Sequence, residues 1–167
     1  MLFRSIYSTL MLLDDATRPI AIGELQYLVE HYPGNSRFHL RLLSVLLLQG
    51  DYSNALKRAD DYLQYEPTDD NLYLTLIWKL RAYLGLKQIA EADALLASIP
   101  ASAFESLPSW SRSWHMLSIA QLHDLRRERE LAIDTYNDIL TLAKSDYVND
   151  MIIDAARSGL DLPYGSN

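Results

Sequence analysis

Apolar residues along this chain recur every three or four positions, and no stretch of useful length alternates with a period of two. Helices are therefore expected throughout and strands nowhere. Leu40, Leu43, Leu46 and Leu47 share one helical face between Ser36, suited to cap a helix, and Gly50, suited to end one. Ala55, Ala59, Tyr62 and Leu63 mark the next helix, opened by Asp51 and closed by Pro67. Asp69 or Asp70 opens another through Leu72, Leu76, Leu80 and Tyr83 to Gly85, and a shorter one with Ala90, Ala94, Leu95 and Ala97 stops at Pro100. Trp110, Trp114, Leu117, Ala120 and Leu125 predict a long helix from about Ser109, and Ala132, Tyr136, Ile139 and Leu140 a further one from near Glu128. Before these, Leu2, Ile6, Leu10 and Leu13 fall on one face, and Thr17 and Pro19 open a helix that ends near His31. At the other end, Asp146 is expected to cap a helix to Arg157, with Gly159 as its stop. Tyr147, Met151, Ile152 and Ala155 would form the side of that helix covering Ile139 and Leu140.

The helices repeat. Ala21, Ala55 and Ala90 open similar phrases 34 and then 35 residues apart, and Ala132 follows 42 residues later. Ala21 precedes Pro33, and Ala55 precedes Pro67, by the same 12 residues. A period of this size marks stacked helical pairs, each unable to bury its apolar face without a neighbour. The small alanines are expected where helices pack closest. Ile99 to Pro108, with two prolines, reads as a connection inserted into the last interval.

Composition narrows the chemistry. The chain has no cysteine, which rules out disulfides, thiolate zinc sites and cysteine nucleophiles. A net charge of −7 argues against binding nucleic acid or an anionic membrane through the whole surface. The apolar run after Arg4 is interrupted by Ser5, Tyr7, Ser8 and Thr9 and followed by Asp14-Asp15, so it does not read as a signal peptide. A soluble, cytoplasmic protein is the expectation. His115 and His123 lie eight residues apart with Asp124 adjacent, too widely spaced for the usual i, i+4 histidine pair of a metal site. With neither a phosphate-cradling glycine loop nor a G-x-S-x-G elbow, no catalytic residue, metal or cofactor is expected. Adjacent acids such as Asp60-Asp61 and Asp69-Asp70 read as solubility and helix-dipole charges.

With Gly50-Asp51-Tyr52 before Ala55 and Pro67 twelve residues on, the chain resembles the tetratricopeptide repeat family. The resemblance implies an all-α fold: a right-handed α-solenoid of about four helix-turn-helix repeats, approximately 2–35, 36–69, 70–104 and 113–146. A capping helix over 146–158 would close this single domain of residues 1–167. The first helix of each pair would line a concave groove and the second the convex side. In that register the groove residues are Arg37, Arg41, Ser44, Asn71, Thr75, Trp78, Arg81, Trp114, Ser118 and Gln121. Guanidinium groups suit carboxylates and tryptophans anchor at low entropic cost, so the partner expected is an acidic, apolar peptide or helix of another protein. Ile6 and Leu10, Leu40 and Ser44, and Leu74 and Trp78 occupy the places of the lysine and asparagine with which some members clamp chaperone C-termini. That function is therefore not expected. An adaptor is the favoured reading. The alternatives are a small cytosolic chaperone of a secretion system and a structural or oligomerisation module, with the last helix offering a dimer interface.

Overall fold

The computed structural model describes residues 17–100, 102–105 and 107–166. The expected helix through Leu2, Ile6, Leu10 and Leu13, and with it the first helix of the first pair, lies outside those residues. The described residues form nine helices and no strand. The expected all-α fold class is therefore borne out. The chain divides into two compact units, Met1–Ala82 and Tyr83–Asn167.

In the first unit, α1 (Arg18–His31) packs on α2 (Ser36–Leu48), and α2 on α3 (Tyr52–Leu63). The next helix, α4 (Asp69–Gly85), belongs to this unit as far as Ala82. Pro19 stands in the first turn of α1, where its missing N–H costs nothing. Asn35, rather than Ser36, caps α2, its side chain accepting from the Arg37 N–H at 3.1 Å. Leu43, Leu46, Ala55, Ala59 and Tyr62 are buried as the apolar stripes predict, whereas Leu40, Leu47 and Leu63 are only half-buried, and Leu25, Leu28 and Leu42 join the buried set. Sheer burial of such stripes is the main driving force for pairing helices of this length.

The second unit holds α5 (Ile89–Ala97), the single-turn α6 (Ser102–Glu105), α7 (Ser109–Leu125), α8 (Arg129–Ser145) and α9 (Asp150–Asp161). The three long helices pack on one another, and α5 and α6 lie against α7. Their core joins Leu117 and Ala120 to Ala132, Tyr136 and Ile139, and to Val148, Ile152 and Ala156. The inserted connection is itself packed: Phe104 and Leu107 are buried, and the Phe104 ring stacks on His115 at 3.6 Å.

The repeat is geometrically stricter than its sequence. Thr17, Asp51, Gln88 and Glu128 are N-caps, and each accepts on its carbonyl the N–H of an alanine four residues on: Ala21, Ala55, Ala92 and Ala132. All four alanines are at most 1% exposed. Ala92 therefore holds the place expected for Ala90, which is exposed in the first turn of α5. The reason is the preceding turn. Gly50 adopts φ 75°, and the Asp51 N–H reaches back to the Leu46 carbonyl at 2.9 Å. Lys87 and Arg127 repeat this geometry at φ 56° and 64°, with Gln88 bonded to Tyr83 and Glu128 to His123. These are left-handed helix ends of the Schellman kind. Gly85, expected as the stop, lies inside α4, and the reversal falls two residues later on a lysine.

The last helix also differs from its expected form. Asn149 caps it, not Asp146, and it runs beyond Arg157 to Asp161. Its buried side consists of Ile152, Ala156 and Gly159, with Val148 buried just before it, while Tyr147 and Met151 face outward at 69% and 48% exposure. Gly159 is not a stop but a close approach: a Cβ there would stand 2.3 Å from the Tyr136 ring. Only a residue without a side chain lets α9 lie this close to α8.

Candidate binding surfaces

The chemistry of a binding helix is set by what it leaves exposed. On α2, Phe38, Leu42 and Val45 together with His39, Leu43 and Leu46 are buried, so the opposite stripe is Arg37, Arg41, Ser44 and Leu48. Arg37 and Arg41 are exposed one turn apart, and their guanidinium groups have no ion-pair partner among the described residues. Ser44 turns inward on its own helix, donating to the Arg41 carbonyl at 2.8 Å. Beside this stripe the turn Tyr32–Arg37 lines a shallow hollow of about 550 Å³.

The other residues read as groove positions are placed differently. On α4, Thr75 is wholly buried and donates to the Asn71 carbonyl at 2.7 Å. Trp78 is 7% exposed, while Asn71 and Arg81 are half-buried. In the second unit, Ser118 is buried and donates to the Trp114 carbonyl at 2.8 Å, and Trp114 and Gln121 are half-buried. Thr75, Trp78 and Ser118 thus spend their side chains mainly on packing. Among the charged residues of the predicted set, the two arginines of α2 present the most accessible heads.

Acids sit elsewhere. Asp60 of α3 pairs with Lys79 of α4 at 2.5 Å, Asp93 of α5 with Arg126, and Glu128 with both Arg126 and His123. Hydrogen bonding to His123, helped by Arg126, holds the Glu128 carboxyl below its usual range. The histidines once imaginable as ligands are engaged in other ways: His123 in this pair, and His115 in the stack with Phe104. Among the described residues no group of three or more His, Asp or Glu side chains is arranged to hold a metal ion. Nor is any described helix long and apolar enough to cross a membrane.

One assembly was not legible in the sequence. Asp124, its side chain wholly buried at the end of α7, accepts from Arg129 Nη1, from the Tyr136 hydroxyl and from the Tyr164 backbone N–H, each at 2.9 Å. Arg129 also donates to the Leu160 carbonyl at 2.7 Å. Burial, and then the Asp124 carboxylate it serves, push the Tyr136 hydroxyl far up, so it remains a donor at every physiological pH. The only local signal was an acid and an arginine five residues apart. Their convergence on Tyr164 spans 40 residues and has no periodic trace.

Residues 46–112 match the family model described as tetratricopeptide repeat. The match runs from the end of α2 through α3, α4 and α5 into the start of α7. No curated protein and no solved structure matches the chain. Tetratricopeptide repeats in general mediate protein–protein interaction.

Proposed function

We propose that the protein is an adaptor that binds an acidic, apolar segment of a partner protein along α2. The observation that carries this reading is the exposed pair Arg37 and Arg41, one turn apart and without ion-pair partners among the described residues, with Ser44 and Leu48 continuing the same stripe. In a chain of net charge −7 such a pair is a local exception. Guanidinium forks recognise carboxylates bidentately, and an apolar position beside them supplies burial.

Selection from a displayed peptide library against the intact protein tests this. The sequences enriched should combine Asp or Glu with large apolar residues. Arg37→Glu with Arg41→Glu should weaken the best binder by roughly 100-fold, equivalent to about 2.7 kcal/mol. Charge reversal at Asp134 on α8 should leave it almost unchanged. Loss of binding from Asp134→Lys with none from the arginine reversals would refute the assignment to α2.

Self-association is a second reading, favoured by Tyr147 and Met151, which are exposed on the turn into α9 and in its first turn. Sedimentation of the intact chain should then show a dimer that Met151→Lys converts to monomer. A monomer at all accessible concentrations excludes it.

A further inference from the structure

Beyond the α2 reading, and on different residues, α9 repeats the build of α2. Asn35 and Asn149 cap the two helices alike, each side chain accepting the N–H two residues on, from Arg37 at 3.1 Å and from Met151 at 2.9 Å. In that register Phe38, Leu42 and Val45 correspond to Ile152, Ala156 and Gly159, and all six are buried. The adjoining flank, at the same three- and four-residue spacing, is His39, Leu43 and Leu46 on α2 and Ile153, Arg157 and Leu160 on α9.

That flank is covered on α2 and open on α9. His39, Leu43 and Leu46 are buried, and α3 packs on α2 with its Tyr62 ring 4.3 Å from the His39 ring. On α9, by contrast, Arg157 is exposed and Ile153 and Leu160 are only half-buried. Among the described residues no second helix follows α9, and the chain turns instead to its opposite flank, where Pro163 and Tyr164 adjoin Ala155 and Ser158. Between the open flank and α8 is a hollow of about 410 Å³. It is lined by the half-buried Leu140, Ala143 and Ile153 and by the exposed Lys144 and Arg157. Among the described residues Lys144 has no ion-pair partner, and Arg157 has Asp154 of its own helix at 3.5 Å, both side chains largely exposed. So exposed a pair contributes little, which leaves both cations open to a carboxylate held beside the apolar lining.

We propose that α9 is the first helix of a repeat whose second helix comes from a partner protein. That helix is amphipathic. It sets small residues four apart against Ile153 and Leu160, as α3 carries Ala55 and Ala59 on its buried stripe, and it brings a carboxylate to Lys144 and Arg157.

The test selects from a library of helices displayed on a fixed bundle with one face randomised. The target is the full chain carrying Arg37→Glu and Arg41→Glu, so that binders of α2 are removed and failure of that reading leaves the result untouched. The helices enriched should carry Ala, Gly or Ser four apart beside Asp or Glu, and the best of them should bind the unaltered chain equally well. Ile153→Arg and Lys144→Glu should each weaken it by roughly tenfold or more. Circular dichroism reports whether the variants fold, and because Lys144 is exposed its reversal decides alone if Ile153→Arg does not. Binding that survives Lys144→Glu at full strength, or enrichment of helices without acids, overturns the proposal. Sedimentation adds an independent reading: a dimer of the unaltered chain that Ile153→Arg converts to monomer would give the flank to a second copy and overturn it as well.

Discussion

In the first unit Asp60 meets Lys79 with its side chain 54% exposed, whereas in the second Asp124 meets Arg129 with no exposure at all. The histidines follow the same division. His39 in α2 is buried against the Tyr62 ring, but its Nε2–H donates to the Pro33 carbonyl at 2.8 Å. His115 in α7 stacks on Phe104 with its Nε2 buried and without a hydrogen-bond partner. The helix reversals are closer to each other: the first unit turns left-handed on Gly50 after α2 and on Glu66 after α3, the second on Lys87 and Arg127. The same repeat is thus stabilised in two ways. The first unit relies on apolar stripes and leaves the Asp60–Lys79 pair and the Arg37 and Arg41 heads at the surface. The second buries the Asp124 carboxylate and depends on the donors that meet it, Arg129, Tyr136 and the Tyr164 N–H.

The largest expected effect separates the units by their ion pairs. Asp124→Ala leaves Arg129, the Tyr136 hydroxyl and the Tyr164 N–H without their shared acceptor, and should cost about 3–5 kcal/mol, as breaking buried pairs does. Asp60→Ala should change stability by less than about 1 kcal/mol, since an exposed pair contributes little. Urea unfolding of both variants measures this, and equal losses would erase the contrast.

Acid should act next. Burial lowers the pKa of His115 to about 4 and that of His39 below its ordinary 6.5, with the Pro33 carbonyl bond opposing the shift only at His39. Both are folded-state values depressed below the unfolded one. The stability tied to each ring is therefore present above about pH 6.5 and declines as pH falls, for His115 down to about 4. The slope for one such group reaches about 1.4 kcal/mol per pH unit. His115→Phe keeps the stack and removes the titration, so its melting temperature should gain on the unaltered protein between pH 7 and pH 5. A parallel pH dependence in the two would show that His115 does not titrate in this way.

The smallest effect concerns the turns. Lys87→Gly and Arg127→Gly should each stabilise by about 0.5–1 kcal/mol by relieving left-handed backbone, while Gly50→Ala should destabilise by a similar amount. Thermal melts of the three variants sharpen the comparison, and destabilisation by either glycine would mean that the lysine or arginine side chain outweighs its backbone strain.

Helical content, the pairing of helices and the places of Ala21, Ala55 and Ala132 were all readable from the chain. Each rests on residues three or four apart, the spacing at which a helix brings side chains onto one face. The period failed at Ala90 because the left-handed turn shifted two residues to Lys87, where no glycine announced it. The face of α9 was half legible: of the expected Tyr147, Met151, Ile152 and Ala155, Ile152 is buried and Ala155 packs against the core, whereas Tyr147 and Met151 face outward and Ala156 and Gly159 complete the covered side. The burial of Thr75, Trp78 and Ser118 and the meeting of Asp124 with Arg129, Tyr136 and Tyr164 belong wholly to the tertiary structure. A helix's own sequence specifies which residues share a stripe. Which stripe is covered, and which distant N–H finds a buried carboxylate, depends on neighbours whose approach is set by close packing rather than by local spacing.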